Sequence, residues 1–193
     1  VEFGPNTPKN IPVLVSTNKA ANKEALQRFE GLLKFVKSGG TAVYLDRLKD
    51  SVKTENAITP FTARVHPSKG LWTCIPHIAR EHPVFDGLQG NGFLRNTYEI
   101  VCPERSLRDL KVKGNRMQEN PIVASIAFDW FSRGHKMGYK GPGPSWWGAD
   151  MTLVPVEKGK YLLSQFQLLE NLGKDPVADK MLFNIIRFLT SKE

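Results

Sequence analysis

The stretch IPVLVSTNKAANKEALQRFEGLLKFVKSGGTAVYL, residues 11–45, decides the fold class. Ile11 to Ser16 is a short apolar run with Pro12 near its start, suited to a buried strand. From about Asn22 to Lys37, Ala25, Leu26, Phe29, Leu32, Leu33 and Val36 recur at helical spacing and form the apolar stripe of an amphipathic helix. Gly39 and Gly40 supply the positive φ that ends a helix in a tight turn, and Thr41 to Leu45 returns to β-branched and apolar residues. Strand, helix, Gly-Gly, strand is a βαβ unit, whose crossover implies parallel pairing under helical cover. The chain therefore reads as α/β with a mostly parallel sheet.

The far end of the chain reads as clearly. Met151 to Val156 and Tyr161 to Leu168 are two short strands joined by a turn around Glu157 to Lys160. Asp175 is placed to cap a helix with Pro176 in its first turn, and Ala178, Met181, Leu182, Ile185, Ile186 and Leu189 form its core-facing stripe. The expected close is strand, turn, strand, helix. Between Asp46 and Asp150 the pattern is weaker, with strand signals near Thr97 to Cys102 and Ile122 to Phe128 and turn residues elsewhere. His82-Pro-Val-Phe-Asp-Gly-Leu88 reads as a short helical turn that plugs Val84, Phe85 and Leu88 into the core, with Gly87 closing it.

A chain of 193 residues fits one domain with a continuous core, here residues 11–193, behind a linker at residues 1–10 that holds Pro5 and Pro8 and lacks the apolar run of a signal peptide. With 40% hydrophobic and 24% charged residues the composition argues against disorder. No apolar run reaches the roughly 20 residues of a membrane helix. Twenty-seven basic against 19 acidic side chains give a formal charge of +8, which admits an anionic polysaccharide or an acidic surface as partner. The densest basic stretch, Arg105 to Arg116, is interrupted by Asp109 and matches no nucleic-acid module, so it reads as a solvated loop or face, or alternatively as an anion-binding patch.

No residue set stands out as a catalytic or metal centre, and no cofactor is implied. Cys74 has His77 and His82 nearby but sits between Thr73 and Ile75, without the small neighbours of a nucleophile elbow. His66, His77 and His82 match no common ligand spacing, and Cys74 and Cys102 form no CxxC. Asp129, Asp150, Glu99 and Glu104 could furnish a carboxylate pair, yet nothing in the sequence sets two of them opposite one another. The stronger candidate is the segment Phe128 to Asp150, an aromatic loop shaped by glycine and proline. In it Trp146 and Trp147, with Tyr139 and with Asp150 accepting hydroxyl hydrogen bonds, offer a stacking platform for a saccharide, or alternatively a cover for a sheet edge or a partner domain.

Several of these segments resemble one known family. Trp146-Trp-Gly-Ala-Asp150, Gly159-Lys-Tyr-Leu-Leu-Ser-Gln165, Asn171-Leu172, Asp175-Pro-Val-Ala178 and Leu182-Phe-Asn-Ile-Ile186 resemble the C-terminal end of the glutamine-amidotransferase-like domains appended to bacterial family 2 glycoside hydrolases of the β-galactosidase type. Leu32-Leu-Lys-Phe-Val36, Gly39-Gly-Thr-Ala-Val43 and His82-Pro-Val-Phe-Asp-Gly-Leu88 look like further segments of the same domains, in the same order. The resemblance implies a flavodoxin-like three-layer sandwich, preceded in the family by one or two βα units that this chain lacks before Ile11. It implies a non-catalytic accessory role in domain packing, oligomerisation or glycan binding, because the Gly-x-Cys-x-Gly nucleophile of true amidotransferases is missing. The partners implied are other domains of a parent hydrolase, an oligosaccharide or anionic polysaccharide, or a second copy of the chain, in a secreted or periplasmic setting. An autonomous hydrolase using Cys74 or a carboxylate pair, and a carbohydrate-binding module, are the alternatives.

Overall fold

The structure, a computed structural model, describes residues 4, 6–68, 77–94, 96–113, 115–116, 121–128 and 145–191. The βαβ unit forms as its sequence implies. Strand β1 (Val13–Val15) leads into helix α1 (Lys23–Lys37), and β2 (Thr41–Tyr44) returns parallel to β1 with Leu14 opposite Val43. Asn22 caps α1, its Oδ1 accepting from the Ala25 amide at 2.8 Å. Glu24 in the first turn and Lys34 and Lys37 in the last complement the helix dipole. Gly39 takes φ 114°, as the helix end requires. Gly40 is needed for a different reason, because a Cβ there would lie 2.2 Å from the Phe35 ring.

Beyond β2 the expected flavodoxin-like sandwich with a mostly parallel sheet does not form. The following strands are β3 (Thr62–Pro67), β4 (His77–Ala79), β5 (Gly92–Phe93), β6 (Arg105–Val112), β7 (Asn115–Arg116), β8 (Val123–Phe128), β9 (Ser145–Val156) and β10 (Gly159–Ser164). They join one sheet in the order β1-β2-β10-β9-β8-β4-β5, and β6 branches from β9 carrying β3 and β7. Only β1/β2 and β2/β10 pair in parallel among the described residues; every other pairing is antiparallel. The reason is connectivity. Parallel neighbours need a crossover of about a dozen residues or more, usually helical. Between β2 and β9 the described residues contain no α-helix to supply one. The β9–β10 connection is a tight turn with Glu157 at φ 55°, which forces antiparallel pairing.

Three local expectations are corrected with it. The basic stretch from Arg105 is not a loop but β6, whose buried Ser106, Leu107 and Leu110 are interleaved with charged residues that hid the strand. Thr97 to Cys102 is not a strand; a single 3-10 turn, Asn96–Tyr98, occupies its start. The C-terminal part of the aromatic loop is strand, since β9 begins at Ser145.

The sheet separates two apolar clusters, and strict alternation along its central strands fills both. Val43 and Leu162 join Met151 beneath helix α3 (Pro176–Thr190), which contributes Ala178, Met181 and Ile185, with the short helix α2 (Leu168–Asn171) and the turn Pro83–Phe85 completing that side. Ala42, Tyr44, Tyr161, Leu163 and Val154 face the other way, under Phe29, Leu32 and Val36 of α1 and against Phe61 and Leu107. Each fully buried Leu, Met or Ile contributes about 2 kcal/mol of transfer free energy. Gly159 lets α1 settle onto the sheet, because a Cβ there would lie 2.1 Å from the Val36 carbonyl oxygen. Asp175 caps α3 through Oδ1, which accepts from the amides of Val177 (2.8 Å) and Ala178 (3.2 Å). No helix among the described residues is long and apolar enough to cross a membrane.

Candidate functional site

The most unusual group in the described interior is polar and sits where four strands meet. His77 of β4 lies opposite Ser125 of β8, and Ser125 lies opposite Gly148 of β9, so the three share one face of the sheet. The β8/β9 register then slips: Ala124 pairs with Ala149 but Val123 with Met151, leaving Asp150 as the extra residue of a β-bulge. The bulge turns the Asp150 carboxylate toward Ser125 and His77. From β6, Ser106 approaches because Gly148 carries no side chain; a Cβ there would lie 2.7 Å from the Ser106 Cβ.

Three donors converge on this carboxylate. Ser106 Oγ donates to Asp150 Oδ1 at 2.5 Å, and Ser125 Oγ donates to Oδ2 at 2.6 Å. His77 Nδ1 lies 2.8 Å from the same Oδ2 and 2.9 Å from Ser125 Oγ. With Asp150 as a carboxylate, which only accepts, Nδ1 carries the imidazole proton and shares it between the two oxygens. Ser106, Ser125 and Asp150 are fully buried and His77 nearly so.

The residue types are those of a Ser-His-Asp relay, and the geometry is not. In such a relay the serine gives its proton to one ring nitrogen while the carboxylate orients the other. Here Ser125 and Asp150 both lie on Nδ1 and the serine proton goes to the carboxylate, so the imidazole is not placed to take it, and the hydroxyl is fully buried. The arrangement satisfies four buried polar side chains with one another and ties β4, β6, β8 and β9 together.

Of the residues that the sequence offered for ligand binding, Asp150 is in this cluster and has no exposed surface. Trp146 and Trp147, as neighbours on a strand, point to opposite faces and cannot form one platform. Trp146 is 9% exposed, held between the His66 ring at 4.6 Å and the Arg108 guanidinium at 4.8 Å from its centroid. Trp147 stands 43% exposed on the other face. Tyr139 and Cys74 lie outside the described residues. Among the candidate carboxylates, Asp150 is saturated by its three donors, Glu104 lies 3.7 Å from Arg47, and Asp129 falls outside the described residues.

The histidines take separate roles. His66 Nδ1 donates to the Pro67 carbonyl at 2.9 Å, and His82 Nδ1 accepts from the Val84 amide at 3.3 Å as cap of the turn Pro83–Phe85. Burial and then the nearby Arg80 hold His82 down at about 4, against a weaker opposite pull from Asp86. Among the described residues no three His, Cys, Asp or Glu side chains gather as a metal-binding group. Sequence reasoning weighed Asp150 and His77 separately and passed over Ser106 and Ser125. The signal was a lone serine within the apolar Val123-Ala-Ser-Ile-Ala-Phe128, since a polar side chain on a buried strand face demands a partner. No family model matches this chain, and the curated proteins contain no match to it.

Proposed function

We propose that this chain is a non-catalytic domain of a carbohydrate-active enzyme of the glycoside hydrolase type, lending contact surface to a larger assembly. The observation that carries the non-catalytic part is the seating of Ser125 and Asp150 on the same His77 nitrogen, which joins strands and keeps the imidazole from acting as base on a fully buried hydroxyl. The carbohydrate context rests on the ordered segments from Leu32 to Ile186 that resemble amidotransferase-like domains of family 2 hydrolases. The fold such domains were expected to bring survives only in the parallel trio β1, β2 and β10, so those segments speak for function and not for architecture. Contact surface is available at the strand β1 edge, where Ile11 and Leu14 are about half exposed, and at Trp147. The parent, by the same resemblance, is secreted or periplasmic.

The test is turnover. The purified chain, incubated with aryl β-galactosides, other aryl glycosides and aryl esters, is expected to release no chromophore above buffer. Saturable release that Ser125→Ala or Cys74→Ala abolishes overturns the reading.

A further inference from the structure

The carboxyl ends of β1 and β2 open into a cavity of about 580 Å³, within the size range of small-ligand sites. At the carboxyl ends of these two parallel strands the connecting loops diverge and leave a crevice. One wall is the β1–α1 loop with Asn18 and Lys19; the other is the long segment after β2, from Asp46 round to Thr59.

Both walls are fixed before any ligand arrives. Asp46 Oδ2 accepts from the Asn18 amide at 3.2 Å and so joins the two loops. Gln165, at the end of β10, brackets Leu48 with two buried hydrogen bonds, Leu48 N to Oε1 at 2.9 Å and Nε2 to Leu48 O at 3.0 Å. The buried Tyr44 hydroxyl donates to Ile58 O at 3.0 Å, and Asn56 Oδ1 accepts from the amides of Ile58 and Thr59. A pre-shaped cavity spends little binding free energy on ordering its walls.

The lining fixes the chemistry. It carries no aromatic ring, so an apolar or stacked ligand gains little, while asparagine, serine and threonine side chains offer donors and acceptors in number. Lys19, Lys49 and Lys53 enter it with no carboxylate partner among the described residues. Arg47 is drawn aside by Glu170 at 2.7 Å, and Asp46 is held by the Asn18 amide. Three ammonium groups then outnumber the two carboxylates of the lining, Asp46 and Asp50, by one positive charge.

We infer that this cavity binds an acidic saccharide, a short oligosaccharide bearing uronate or sulfate groups. The saccharide part rests on the function proposed above; the negative charge rests on the cavity itself. The lysines pair with the acid groups and the amide and hydroxyl side chains take the sugar hydroxyls.

Titrating the full chain with a galacturonate tetramer, followed by amide NMR, tests it. The expected result is shifts confined to Asn18, Lys19, Asp46 to Lys53 and Asn56, with weak response to a neutral galactose tetramer. Lys49→Ala and Lys53→Ala, both exposed side chains whose loss spares the core, should each weaken binding about tenfold, as for one charged hydrogen bond. Equal binding of the neutral tetramer, equal displacement by inorganic sulfate, unchanged affinity in both lysine variants, or shifts elsewhere overturns the site. Turnover by the wild-type chain counts against the proposed function alone. Silence in both experiments counts against this cavity alone.

Discussion

Asp150 is the side chain on which most of the buried polar chemistry converges, and its value lies in what it satisfies. Replacing it by alanine leaves Ser106, Ser125 and His77 with donors aimed into the space that the carboxylate filled. Such a loss costs about 3 kcal/mol, because the orphaned groups keep their desolvation penalty after the partner is gone. Asp150→Asn should cost less. Its amide oxygen still accepts from one side and the serine hydroxyls can rotate, though one donor then meets another. Urea titrations of the two variants should therefore rank alanine below asparagine, with both below the wild type. A wild-type midpoint for Asp150→Ala would mean that the cluster does not hold these strands together.

At the scale of elements, the turn Pro83–Phe85 shows how a small structure is secured from several sides. Val84 and Phe85 are buried, Asn184 of α3 donates to the carbonyls of Val84 (3.0 Å) and Asp86 (2.9 Å), and Asp86 pairs with Arg187. His82 caps the turn as an acceptor and sets its ring 4.5 Å from Phe188, a role open only to the neutral imidazole. Its pKa falls from 6.5 to about 4 in the fold, so the stability it adds is complete above 6.5 and is lost as pH falls toward 4. His82→Asn, which keeps a capping oxygen and cannot titrate, should flatten the fall in stability between those limits. Chemical denaturation at pH 7, 5.5 and 4 measures it, and equal slopes in both proteins would refute it. This turn, α1, α3 and the hairpin at Glu157 were legible because each is encoded locally, in caps, glycines and apolar spacing. Strands β3 and β4 left no comparable signal, and β6 was hidden by its charges, because their partners lie far away in sequence. The Asp150 cluster was illegible for the same reason, as it needs a bulge and four strands that no window of sequence contains together.

Over the whole molecule, one sheet serves two cores, and the question is whether these melt separately. Leu162 and Leu163 are neighbours on β10 that point to opposite faces, Leu162 toward α3 and Leu163 toward α1, and both are buried. Truncating either to alanine removes the same side chain and leaves a cavity, at a cost of about 2–5 kcal/mol. Both cores lean on the hydrogen bonds of β10 with β2 and β9, so a cavity on either side loosens the strands that the other side also needs. Each variant should then unfold in a single transition, and hydrogen exchange should quicken in α1 and α3 alike. Strand β1, paired on one side only among the described residues, should exchange fastest of the parallel trio in every variant. Were Leu162→Ala to speed exchange in α3 while leaving α1 at its wild-type rate, the two layers would be separate cooperative units, and the shared sheet would be a boundary between them.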